Sequence, residues 1–181
     1  MKKRLEKEIK NMKDSDIILT LLPKENFDEL NLHVVKTIMD KKKVGGAYVA
    51  VNKPYESIIK NMQKRKIDHS KLFFVDCVTE DDGKISNVAF IKSAQSLTNI
   101  GISLDHIYKS SAHSFIFIDS LDALSLYHDT DMIIKFARSI INRMRQHGKC
   151  GFMISLHEGT DPRIISELEV VCDKIIRFDE K

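Results

Sequence analysis

Residues Phe115-Ile116-Phe117-Ile118 form an unbroken apolar run that ends directly on an acid, Asp119. A strand with one face in water alternates polar and apolar positions. A run that is apolar at every position needs cover on both faces of its sheet. Shorter runs of the same kind are IILTLL at residues 17–22, GAYVAV at 46–51, Leu72-Phe73-Phe74-Val75, Phe152-Met153-Ile154 and Ile175-Ile176, with Val88-Ala89-Phe90-Ile91 as a short extra strand. Between them the apolar residues recur at helical spacing. The sets are Leu30, Val34, Val35, Ile38 and Met39; Tyr55, Ile58, Ile59, Met62 and Ile67; Leu97, Ile100, Leu104 and Ile107 in one helix over 96–109; and Ile164, Leu168 and Val171. The clearest set is Ile133, Phe136, Ala137, Ile140, Ile141 and Met144, in a long helix from about Asp131 that Gly148 ends. This alternation predicts an α/β fold: a three-layer sandwich with a mainly parallel sheet of five to seven strands between helices.

Local punctuation supports the division. Pro23 ends the first run, and Asn26 with Glu29 three residues on resembles a capping box. Lys41, Lys42 and Lys43 suit the C-terminal end of the next helix, which Gly45-Gly46 is expected to close. Pro54 and Pro162 suit first helical positions, and Asp81-Asp82-Gly83 marks a turn. Residues 15–181 therefore read as one α/β domain, preceded by a basic helix over 1–14. That helix carries the thin stripe Leu5, Ile9 and Met12. Residues 1–13 hold six basic and two acidic side chains, so the +3 of the whole chain leaves −1 for the remainder. Electrostatic binding of nucleic acid would need a local patch. No apolar run approaches the roughly 20 residues of a membrane helix, and the first residues lack a signal peptide's apolar stretch, which predicts a cytoplasmic protein without membrane insertion. The stripe on the first helix is too thin for firm membrane binding and favours a packed cap or a partner contact. Cys77, Cys150 and Cys172 have no metal-like spacing; Cys77 and Cys150, in strand contexts, read as core fillers.

The chain has no G-x-x-x-x-G-K-[ST], G-x-G-x-x-G, H-E-x-x-H, C-x-x-C or G-x-S-x-G, and its seven histidines are scattered. No metal site is expected. Several strings nevertheless resemble the KaiC-like branch of the RecA-type ATPases, a group common in archaea. GAYVAV is similar to that family's second core strand. Ser114 to Asp119, continued by Ser120-Leu121-Asp122, is similar to its Walker B strand and the residues that follow. Val171-Cys172-Asp173-Lys174-Ile175-Ile176-Arg177-Phe178 is similar to its closing strand. The resemblance implies a RecA-like sheet over roughly residues 17–179 and assembly through the domain's flanks.

The departures bear on activity. The stretch in the place of the phosphate-binding loop is Pro23-Lys24-Glu25-Asn26-Phe27-Asp28-Glu29, with no glycine to open backbone amides around phosphates. Glu25, Asp28 and Glu29 put carboxylates where that family holds phosphate, so a triphosphate meets like charge there. After the second strand, where the resemblance implies catalytic glutamates, stand Asn52-Lys53. Asp119 has two readings: it caps the following loop through Ser120 and its neighbours, or it keeps a residual nucleotide or metal contact, with Ser120. Lys135, Arg138, Asn142 and Arg145 step along the long helix, either as a solvated face or as a contact for nucleic acid or an acidic partner. The expectation is a non-catalytic KaiC/RecA-like domain, a pseudo-ATPase without cofactor or catalytic residues, acting as a regulatory, signalling or protein-interaction module that pairs with a protein or with itself. The alternatives are an ATP-binding protein or weak ATPase with a non-standard phosphate loop, and a DNA-associated factor.

Overall fold

The computed structural model describes residues 1–80 and 84–178. The turn expected at Asp81-Asp82-Gly83 lies outside the described residues. Strands β1 (Ile17–Leu22), β2 (Gly45–Ala50), β3 (Leu72–Asp76), β4 (Val88–Phe90), β5 (His113–Asp119), β6 (Cys150–Leu156) and β7 (Lys174–Arg177) form one sheet in the order β4-β3-β2-β5-β6-β1-β7. Every pairing is parallel. The helices are α1 (Lys2–Lys10), α2 (Phe27–Lys42), α3 (Tyr55–Lys64), α4 (Leu97–Ser103), α5 (Asp105–Lys109), α6 (Thr130–Gln146) and α7 (Pro162–Glu169), with a 3-10 turn at Asp122–Leu126.

Successive strand residues point to opposite faces, so each continuous apolar run feeds two cores. Phe115 and Phe117 of β5, with Ile18 and Leu22 of β1, pack against α1, α2 and α3. Ile116 and Ile118, with Ile17, Leu19 and Leu21, pack against α4 to α7. This is the three-layer α/β sandwich that the alternation of runs predicts. Asp119, two residues beyond Phe117, falls on the α1–α3 side. Cys77 and Cys150 are buried, one in each core, and burial pushes their thiols up to about 12 and about 11.

Four local expectations are corrected. Asn26 has φ 62° and its side chain caps nothing, because a capping side chain needs extended backbone to reach the first amides. Its expected partner Glu29 instead pairs with Lys2. Helix α2 is closed not by Gly45-Gly46 but by Lys43 at φ 57°, whose N–H reaches the Met39 carbonyl at 2.9 Å. The glycines open β2, where a Cβ on Gly46 would stand 2.5 Å from the Phe115 ring. Lys41 serves another helix: its Nζ donates to the carbonyls of Ile9, Lys10 and Met12 at 3.2, 2.8 and 2.5 Å, closing the end of α1. The single helix expected over 96–109 is two. Ser103 Oγ takes the Ile100 carbonyl at 2.7 Å, so the Leu104 N–H turns to Gly101, and the chain re-enters helix at Asp105.

Helix α1 lies along α2 in the same direction. Lys2 pairs with Glu29, and His33 stands 3.0 Å from Glu6, while Leu5, Ile9 and Met12 are buried beneath. Glu8 pairs with Lys174 of β7 and Arg4 lies over the Phe178 ring at 5.1 Å, which ties the helix to the sheet edge.

Replacing Gly46 by alanine forces that Cβ into the Phe115 ring and is expected to lower stability by about 1–3 kcal/mol. At Gly101 nothing lies within 4 Å of the added Cβ, so Gly101→Ala is expected to be neutral or slightly stabilising. Urea unfolding of the two variants, compared at their midpoints, checks both directions.

Candidate functional site

Open α/β sheets place their ligands at the C-terminal ends of the strands. Here those ends are polar and engaged with one another. In register, Ala50 at the end of β2 is flanked by Asp76 of β3 and Asp119 of β5. Asp76 is fully buried and accepts from the N–H groups of Tyr55, Val78 and Thr79 at 2.9, 2.8 and 3.0 Å, and from the Thr79 hydroxyl at 2.6 Å. It thereby fixes both the start of α3 and the loop after its own strand.

Asp119 is 4% exposed, and its Oδ2 accepts the Tyr48 hydroxyl at 2.5 Å. The same hydroxyl accepts from Asn31 Nδ2 of α2 at 3.3 Å. The Tyr48 ring is wedged between Phe74 and Phe117, with centroids 5.6 and 5.0 Å away, so the aromatic layer of three adjacent strands aims the phenol at the carboxyl group. Burial pushes the Asp119 carboxyl up to about 6, against the pull of the Tyr48 hydrogen bond, Asn31 and the Lys53 charge. Burial and the Asp119 charge raise the Tyr48 phenol well above its ordinary range. The Asp119–Ser120 peptide is cis. Of the two sequence readings of Asp119, capping of the following loop gives way to this bond across the sheet.

The loop from β1 to α2 comprises only residues 23–26. Beyond it Asp28 pairs with Lys53 and Glu29 with Lys2. Those two carboxylates therefore do not stand bare at the helix N-terminus, since each holds a lysine. On the far side of β5, Asp122 accepts from the Leu156 N–H at 2.9 Å and from Ser155 Oγ at 3.2 Å, and Ser155 Oγ lies 2.6 Å from Thr160 Oγ1. Ser120 Oγ, Asn31 Oδ1 and Thr20 Oγ1 are buried without a hydrogen-bond partner among the described residues. Those residues also include no group of three or more His, Cys, Asp or Glu able to hold a metal ion.

The basic positions on α6 do not act together. Arg138 binds the Glu167 carboxylate at 2.7 Å, and Arg145 binds Asp173 at 2.9 Å and the Val171 carbonyl at 2.7 Å. Arg143 pairs with Asp105 and lies over the Tyr108 ring at 4.5 Å. Lys149 is buried, donating to the carbonyls of Ser110 and His113. Lys135 is exposed and makes no ion pair among the described residues. Sequence reasoning missed Tyr48, Asn31 and Asp76. Tyr48 carried a signal, since a phenol within a strand covered on both faces needs a buried partner. So did Asp76, which ends an apolar run just as Asp119 does.

The model of the family described as "ATPase: KaiC" matches residues 33–181, so β1 and the loop after it lie ahead of the matched region. The fold is similar to the crystal structure of flagellar accessory protein FlaH from Methanocaldococcus jannaschii, with TM-score 0.64 and 13% identity over 98% of this chain and 79% of that one. It is also similar to the Pyrococcus horikoshii OT3 protein of project PH0250, with TM-score 0.66 and 15% identity over 97% of this chain and 88% of that one. No curated protein matches the chain. Among the described residues, no helix is long and apolar enough to cross a membrane.

With its carboxyl raised to about 6, Asp119 takes up a proton in the fold between pH 4 and 6 that the unfolded chain, titrating near pH 4, has released. Its contribution is therefore present at pH 4, declines as pH rises through that window and stays lost above it. Asp119→Asn keeps an acceptor for Tyr48 and removes the titration. The variant is expected to match the wild type at pH 4 and to exceed it by ~2–3 kcal/mol at pH 7.5. Urea unfolding at the two pH values checks this; an equal difference at both would contradict it.

Proposed function

The chain belongs to the KaiC ATPase family, and we propose that within it this domain is non-catalytic, a regulatory or protein-interaction module. The observation that carries this reading is the Tyr48–Asp119 bond. The carboxylate that the resemblance equates with the Walker B acid is buried, shares its oxygen with a phenol and has a raised pKa. A magnesium ligand must be ionised and open to the ion and its waters. Here the carboxylate is 4% exposed and one of its oxygens already holds the Tyr48 hydroxyl. Two further features support the reading. The four residues 23–26 contain no glycine, and Pro23 offers no amide, so few backbone donors can surround a phosphate. Asn52-Lys53 stand where the resemblance implies catalytic glutamates, and the Lys53 ammonium is engaged by Asp28. The domain then works by contact, in a cytoplasmic setting, with a protein partner or a second copy. No cofactor enters this reading.

A second reading, nucleotide binding through a non-standard phosphate loop, is favoured by the unpartnered Ser120 Oγ and Asn31 Oδ1 beside Asp119. In that case Asp119 and Ser120 form the contact. Contact with DNA through Arg138 and Arg145 is disfavoured, because both guanidinium groups already hold carboxylates of their own chain.

Isothermal titration of the full chain with Mg-ATP separates the two principal readings. No saturable heat is expected up to millimolar nucleotide, and no phosphate release above buffer. Micromolar binding, lost in Asp119→Ala and kept in Lys135→Ala, would establish the nucleotide reading instead.

A further inference from the structure

Helices α4 and α6 run side by side in the same direction, linked near one end by Arg143 on Asp105 and near the other by His128 Nε2 on the Ala94 carbonyl at 2.9 Å. Between them lies a solvent-open groove of about 440 Å³, lined by Leu97, Ile102, Met132 and Phe136 with Lys135 and Arg143. Ile102 is 59% exposed and Met132 46%, one from each wall. The His128 bond sets the turn bearing Leu126 and Tyr127 at the N-terminal end of the groove, and these side chains are exposed as well. Single exposed apolar residues are ordinary; Ile102 and Met132 on the two walls of one groove, with Leu126 and Tyr127 exposed on the turn before α6, mark an interaction surface.

We propose that this groove docks an amphipathic helix of a partner protein, one that carries acidic side chains beside its apolar stripe. The inference rests on the interaction-module reading above and names its surface. The shape follows from the walls: two packed helices leave a channel that accepts apolar residues at i, i+3 and i+4, whereas strand addition needs a sheet edge. The charge follows from the lining, which among the described residues includes two cations and no carboxylate. Arg143 is held by Asp105, so Lys135 is the free cation on the rim. A second copy of the chain is a poor occupant. The apolar stripes of α1 (Leu5, Ile9), α3 (Tyr55, Ile58, Met62) and α7 (Ile164, Leu168) are all buried within their own fold.

Two synthetic helical peptides test the proposal, sharing one Leu/Ile stripe and flanked either by Glu or by Lys. Each is titrated into the ¹⁵N-labelled full chain without nucleotide. The Glu-flanked peptide is expected to shift amides of residues 97–102 and 132–143 saturably, and the Lys-flanked peptide to bind at least about tenfold more weakly, the size of one close charge pair. Lys135→Glu should reverse that preference. Ile102→Ser, a surface change, should abolish binding of both while leaving the rest of the spectrum in place. Absence of saturable shifts, equal binding of both peptides, shifts centred elsewhere, or a free-chain dimer that covers the groove in sedimentation would each overturn the proposal. ATP turnover by the pure chain would overturn the non-catalytic reading and leave the peptide result standing.

Discussion

A sheet whose strands are apolar at every position can exist only if both of its faces are hidden, and that demand organises the molecule. β5 contributes Phe115 and Phe117 to one core and Ile116 and Ile118 to the other, all at most 1% exposed. Burying each such side chain contributes roughly 1.5–3 kcal/mol, which repays ordering the helices that cover it. Polar groups are thereby pushed to the strand ends. There the covering helices still limit access to water, and a carboxyl group has to find donors within the protein.

The ends of β2, β3 and β5 carry that consequence. Asp76 is satisfied by four donors, one from the start of α3 and three from the loop that follows its own strand, which makes it a brace. Asp119 is satisfied by a side chain from inside the neighbouring strand, Tyr48, with Asn31 behind it. The two acids flank the same alanine, yet one meets the amides of its own loop and the other meets a phenol from across the sheet. That second arrangement supports a reading in which the family's chemistry is replaced by contact. The carboxylates of the first turn of α2 are paired with lysines, and the loop ahead of them is short and free of glycine.

The surface divides in a similar way. Most cations of α6 are spent on their own chain: Arg138 and Arg145 tie α6 to Glu167 at the end of α7 and to Asp173 just before β7, and Arg143 ties it to α5. These pairs fix how the helices cover the sheet. What they leave open is the groove beside α4, where apolar side chains meet solvent and Lys135 makes no ion pair among the described residues.

Apolar periodicity alone located the seven strands, most helix faces and the parallel three-layer plan, because burial on two faces leaves a pattern that depends only on residue order. It also marked Asp119 as the acid at the end of the central strand. Boundaries set by competing hydrogen bonds were not legible there. Ser103 taking the Ile100 carbonyl, Lys43 closing α2 and Lys41 closing α1 each depend on which groups arrive side by side once the chain has packed. The same holds at the candidate site. Tyr48 and Asp119 stand 71 residues apart, and only the parallel register of β2 with β5 brings the phenol to the carboxylate. Residue order fixes what must be buried; tertiary packing decides which buried polar group meets which, since hydrogen bonds reach only about 3 Å and form between neighbours in space.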